Sequence, residues 1–188
     1  MKSSLKITFA GLLLVGAALF YSCSNDNDDT PVVVTPPTLY QKLGGTTMVA
    51  DPNNPSQMIE KGRLGLRSVV DSTIFVIAAD PQLQPYFSTL LSEVGSGNTT
   101  NLAILSKNLT DFFCVGTGAK NFTYSGLNMV DAHNPATNPR MAMKANNADM
   151  DKFIGDVVIG AQKNNVPNEL IGEVGTILES LRPQVVQQ

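Results

Sequence analysis

Apolar residues recur at three- and four-residue spacing in four stretches of the chain, the period of a helix with one buried face. The first stripe carries Leu66, Val69, Val70, Ile74 and Ile77, and Asp80-Pro81 stops it. The second carries Leu102, Leu105, Leu109, Phe112 and Phe113. A third runs through Met150, Phe153, Ile154, Val157, Val158 and Ala161, with Asp149 expected as its N-cap. The fourth follows Pro167 with Leu170, Ile171, Val174, Ile177, Leu178 and Leu181. It is expected to end at Arg182-Pro183, because proline lacks the amide N–H that a continuing helix needs. Strict alternation is scarce. Val32 to Val34 is β-branched but lies among Pro31, Pro36 and Pro37, and no alternating segment is bounded by hairpin turn residues. The pattern predicts an all-α domain without a sheet.

The N-terminal segment has a different logic. Lys2 and Lys6 precede an uncharged run over residues 7–20, too short to cross roughly 30 Å of hydrocarbon as a helix. It reads as a signal peptide. Ser22 directly before Cys23 resembles the lipobox of bacterial lipoproteins, although Tyr21 is bulkier than the usual pattern. The alternative is a cysteine that merely falls near an ordinary cleavage site. Under the lipobox reading, residues 1–22 are the signal and an acylated Cys23 holds the protein to the lipid bilayer without a transmembrane helix. The expected location is the bacterial cell envelope, at the outer membrane. Residues 23–37 carry Asp26, Asp28, Asp29, Pro31, Pro36 and Pro37 with no aromatic residue, the composition of a flexible tether. The folded domain is expected over 38–188.

Composition narrows the function. The chain has 188 residues, 43% of them hydrophobic, with two cysteines and one histidine. That is too apolar for a disordered chain and too poor in cysteine for a disulfide scaffold. The formal charge is -3 and the basic residues are scattered singly, so no footprint for a phosphate backbone exists and nucleic acid is excluded as a partner. A single His133 rules out a multi-histidine metal cluster, and Cys114, once Cys23 is acylated, is the lone thiol. Following two phenylalanines and without a neighbouring base, Cys114 reads as a small buried residue rather than a nucleophile. Gly44-Gly45, Gly95-Ser96-Gly97 and Gly116-Thr117-Gly118 lack the strand-before, helix-after setting of a nucleotide loop and read as turns. His133 needs a context of its own, because an isolated histidine is more often structural than a ligand.

An ordered set of motifs supplies that context. Leu39-Tyr40-Gln41-Lys42-Leu43-Gly44-Gly45 resembles the opening of the group I truncated haemoglobins, and Val69-Val70-Asp71 through Ala79-Asp80-Pro81 resembles their second helix and its exit. Pro85-Tyr86-Phe87 falls at the family's helix-corner phenylalanine, and Phe112-Phe113 at its aromatic pair. Tyr124-Ser125-Gly126-Leu127-Asn128-Met129 precedes His133 as the family's Tyr-x-Gly-x-x-Met precedes its haem-binding histidine. Asp149-Met150-Asp151-Lys152-Phe153, Val166-Pro167 and the last helix complete a resemblance over most of 39–185.

The resemblance implies a two-over-two helical sandwich that holds haem b. His133 would be the proximal iron ligand, with Phe87, Met129 and Tyr124 against the porphyrin. One imidazole suffices there, since the macrocycle supplies the other four nitrogens. It also implies a diatomic gas as the ligand, and it leaves the redox partner unknown. The chain departs from the pattern on the distal side. Ile74 stands where group I members usually have a tyrosine, Thr73 where they often have phenylalanine, and Leu105 and Leu109 where a glutamine often completes the network. Insertions fall roughly over 46–62 and 134–148. Two functions therefore stand: a haem-binding globin on the envelope, and an envelope lipoprotein that keeps the globin fold without haem for binding or structure.

Overall fold

The computed structural model describes residues 35–188. The signal peptide, Cys23 and the tether up to position 34 lie outside them. Residues Pro36–Gln188 form one compact unit. It opens with α1 (Leu39–Lys42), held by a reciprocal cap in which Gln41 N donates to Thr38 Oγ1 at 3.2 Å and Thr38 N to Gln41 Oε1 at 2.8 Å.

The four periodic stripes are helices: α2 (Lys61–Ala78), α4 (Thr100–Gly116), α6 (Asn147–Lys163) and α7 (Asn168–Val185). Shorter helices, α3 (Ser88–Gly95) and α5 (Met129–Ala132), and a 3-10 turn at Gln84–Phe87 fill the corners. α2 packs with α4, α6 packs with α7, and α2 lies across α6, a two-over-two sandwich. The α2–α6 crossing is close because of one residue. A methyl group at Gly160 would lie on the Thr73 hydroxyl and 3.0 Å from the Thr73 backbone nitrogen. Tyr40, Leu66, Val70, Phe113, Met150 and Leu178 are the heart of the core.

Three expectations need correction. A two-stranded antiparallel hairpin, β1 (Met48–Asp51) and β2 (Asn54–Glu60), occupies the insertion over 46–62. Only Ile59 on the two strands is buried, so no alternating apolar face is written in the sequence. The turn specifies it instead: Asp51 Oδ1 accepts from Asn53 N at 2.9 Å, and Arg67 of α2 grips both Asp51 oxygens at 2.7 and 3.0 Å. Asp149 is not the N-cap of α6. Asn146 is, accepting from Asp149 N at 3.1 Å while the Asp149 carboxylate accepts from Asn146 N at 2.9 Å. Finally, α7 runs past Pro183 to Val185. A proline in the last turn removes only one late hydrogen bond, and Val186 N still donates to Arg182 O at 2.9 Å.

Candidate functional site: an apolar cavity with one imidazole

A cavity of about 450 Å³ opens between α2, α3, α4, the α5 region and the start of α6, within the size range of small-molecule and cofactor sites. α4 presents Leu102, Leu105, Leu109 and Phe112 to it, all four of them on the predicted helical stripe. α2 adds Ile74 and Ile77, while the corner after α2 adds Phe87, Leu90 and Leu91. Tyr124, Met129 and His133 also line it. The structure thus gathers His133, Phe87, Met129, Tyr124, Ile74, Leu105 and Leu109 around one cavity. Cys23 lies outside the described residues. A second cavity of about 310 Å³, bordered by α2, α6 and α7, has no imidazole in its walls.

The local fold orients His133. Asn128 caps α5, accepting from Asp131 N at 2.9 Å, and the one-turn helix ends at His133. His133 Nδ1 lies 2.8 Å from the Met129 carbonyl oxygen. A carbonyl can only accept, so Nδ1 carries the proton and, in the neutral ring, Nε2 carries the lone pair. Nε2 makes no hydrogen bond among the described residues. Burial depresses the His133 pKa, with the Met129 bond opposing it weakly, so the ring is neutral at physiological pH. A neutral imidazole with its free lone pair on a cavity wall, held by a carbonyl on its other nitrogen, is the standard arrangement of a metal-ligating histidine.

The rest of the wall is ordered by aromatic and hydrogen-bond contacts. Tyr124 packs edge-on against Phe112, with ring centres 5.6 Å apart, and donates its hydroxyl to Leu127 O at 2.7 Å. Gly126 is small because a side chain there would strike the Tyr124 ring. Asp149, at the base of the cavity, accepts from Tyr86 Oη at 2.6 Å and from Gln82 Nε2 at 3.0 Å. Burial favours a high Asp149 pKa, but these donors and the Asn146 amide outweigh it and hold the carboxyl below the ordinary range.

One stretch of the wall, on α2 and α4, is mostly apolar. Ile74, Leu105 and Leu109 offer no donor, and Thr73 does not face the cavity. Its buried hydroxyl donates to Val69 O at 2.9 Å at the α6 crossing. Residues not singled out from the sequence also reach the cavity: Phe75, 71% exposed at its edge, Asn101 and Asn108 on α4, and Arg140 after α5. A helical stripe drawn through apolar positions alone passes over such polar neighbours. Cys114 is fully buried, and burial pushes its thiol up to about 11, against the opposing pull of Arg63. It is a packing residue. Among the described residues, no cluster of three His, Cys, Asp or Glu could hold a metal by itself.

No protein-family model and no curated protein sequence matches the chain. Solved structures do. The truncated haemoglobin from Tetrahymena pyriformis in its Fe(III) form superposes with a TM-score of 0.57 at 22% identity, over 81% of this chain and 100% of that one. Two substituted forms of the same protein match equally well, with the same TM-score and coverage. The chain has the truncated globin fold. The two-over-two helix arrangement accounts for the position of the imidazole cavity, and the hairpin is added to the fold without entering the cavity's wall.

Proposed function

We propose that the protein is a haem-binding globin that takes a diatomic gas. The observation that carries this reading is His133: a neutral imidazole with Nδ1 tied to the Met129 carbonyl and an unengaged Nε2, on the wall of a mostly apolar cavity of about 450 Å³. The residues fit haem b. Apolar walls from α2, α4 and the Phe87 corner supply desolvated surface for a flat aromatic macrocycle, and a single nitrogen donor is what its iron requires from the protein. When bound, the haem supplies an iron whose free face accepts oxygen, carbon monoxide or nitric oxide.

The chain's own part is to bind, orient and exclude water. The Met129 carbonyl fixes the tautomer and rotation of His133, and Phe87 and Met129 pack against the cavity's interior. Ile74, Leu105 and Leu109 make the distal side dry and poor in donors, which favours loose oxygen binding. The Fe(III) truncated haemoglobin whose structure this fold matches supports the same reading. The protein is further proposed to be a lipoprotein of the bacterial envelope, held in the bilayer through acylated Cys23; the uncharged run at 7–20 and the Ser22-Cys23 pair support this.

Titration of the purified protein with haemin tests the function. One equivalent should bind and give a sharp Soret band that saturates at a one-to-one ratio. Absorption that rises linearly without saturation, as for free haemin, overturns the proposal in favour of a haem-free globin fold.

A further inference from the structure

The segment after His133, part of the insertion over 134–148, is tied down at both ends. Thr137 Oγ1 donates to Asp131 O at 2.9 Å and Asn138 Nδ2 to Ala132 O at 2.8 Å. At the far end Gln187 N donates to Ala145 O at 3.0 Å. Between these anchors Asn138, Arg140 and Met141 reach the cavity wall. Arg140 extends its fork to Glu93 in the last turn of α3, with Nη1 and Nη2 at 3.0 and 2.7 Å from the two carboxylate oxygens. Asn101, in the first turn of α4, donates Nδ2 to the same two oxygens at 3.1 and 3.0 Å. One carboxylate therefore joins α3, α4 and the segment behind the imidazole. Among the described residues no other side-chain hydrogen bond joins 134–148 to α3 or α4.

We propose that Arg140, Glu93 and Asn101 form a strap that closes the cavity wall and sets the rate at which a bound planar cofactor escapes; this rests on the haem reading above. Three observations favour a strap over an incidental surface pair. The Arg140–Glu93 contact is bidentate, which fixes direction as well as distance. Asn101 holds the carboxylate from a second side, so Glu93 is oriented even when Arg140 swings away. Both donors border the cavity, whereas their acceptor sits between two elements of its wall. Arg140 and Asn101 hold the Glu93 pKa low, so the carboxylate is charged at physiological pH and the strap is closed there. Its side chains are part-exposed, at 42% and 24%, so salt weakens it. The strap adds little to global stability for the same reason. Its effect is on opening: a flat ligand leaves only when the segment behind His133 separates from α3 and α4.

The test uses the purified protein and three variants: Arg140→Ala, Glu93→Ala, and the exchanged pair Arg140→Glu with Glu93→Arg, in which the Asn101 amide can turn its oxygen toward the guanidinium. Haem transfer to excess apomyoglobin should be about three- to tenfold faster in each single variant, with thermal unfolding nearly unchanged. The exchanged pair should return to within about twofold of the parent, and 1 M salt should accelerate the parent but not Arg140→Ala. Equal rates in the parent and both single variants, or an exchanged pair as fast as the singles, overturn the strap. Amide hydrogen exchange over 134–142 in the haem-free protein gives a readout independent of haem. Exchange should quicken in the single variants and recover in the exchanged pair, and unchanged exchange overturns the strap directly. Failure of every variant and the parent to take up haemin refutes the haem reading instead, and leaves hydrogen exchange to decide whether the wall is strapped.

Discussion

Two glycines on α6 should respond to alanine in opposite directions. At Gly155 nothing lies within 4 Å of an added methyl group. Gly155→Ala should therefore gain the intrinsic helix preference of alanine, up to about 1 kcal/mol. Gly160→Ala gains the same preference but places its methyl on the Thr73 hydroxyl, 3.0 Å from the Thr73 nitrogen and 3.1 Å from its Cα. The backbone atoms cannot rotate away. The hydroxyl can, but only by breaking its 2.9 Å bond to Val69 O at a position 5% exposed, which leaves a buried donor unsatisfied at about 1 to 3 kcal/mol. Overpacking adds about 1 to 3 kcal/mol. After subtracting the helix gain, Gly160→Ala should destabilise the domain by about 1 to 5 kcal/mol, a fall of several degrees or more in Tm for a domain of this size. Thermal unfolding followed by circular dichroism at 222 nm, run on both variants, reads the two signs together. Thr73→Ala in the Gly160→Ala background should recover part of the loss, because it removes the hydroxyl and leaves the backbone contacts. A Gly160→Ala protein as stable as its parent would show that the helices at the α2–α6 crossing are not in close contact. Because Ile74 follows Thr73, the position of the cavity's distal wall would then be in doubt as well.

Other outcomes follow from the same geometry. Ile74→Tyr adds a hydroxyl beside Leu105 and Leu109, neither of which carries a side-chain donor, and oxygen release measured by stopped flow should slow about several-fold to tenfold, with carbon monoxide release changed less. Equal slowing of both gases would mean that the tyrosine acts by blocking the exit. Asp149→Ala removes the acceptor of Tyr86, Gln82 and the Asn146 amide; urea unfolding should show a loss of about 2 to 3 kcal/mol. Because burial lowers the His133 pKa in the folded state, the unfolded chain binds that proton first as pH falls. The stability contributed by neutral His133 should be complete above about pH 6.5 and decline below it, and His133→Gln should remove that component of the pH slope in urea titrations. Cys23→Ala should abolish labelling by a fatty-acid analogue and release the protein from membranes, and label that persists would exclude Cys23 as the acylated residue.

The helices of the sandwich were legible because each buries a stripe. Leu66, Val70 and Ile77 on α2 repeat at helical spacing and are all buried. The hairpin was not legible, since Met48 and Met58 are half exposed or more and only Ile59 marks an inner face. Its structure comes from the Asp51 turn and the Arg67 grip, which are polar and non-periodic. Pro183 does not mark the end of α7, because the last turn loses only one backbone bond to it. In the site, the histidine and its apolar companions could be found from an ordered set of motifs. The strap could not, because Glu93, Asn101 and Arg140 are ordinary surface types whose meeting depends on how three separate elements close in space.

The central claim is that His133 supplies the nitrogen for a haem iron. The spectrum of the haemin-loaded ferrous protein with carbon monoxide tests it most directly, read beside His133→Gly with and without added imidazole. The parent should show the Soret band of a histidine-ligated carbonmonoxy globin, His133→Gly should lose it, and imidazole should restore it. A His133→Gly spectrum identical to the parent's, with no response to imidazole, would contradict the claim.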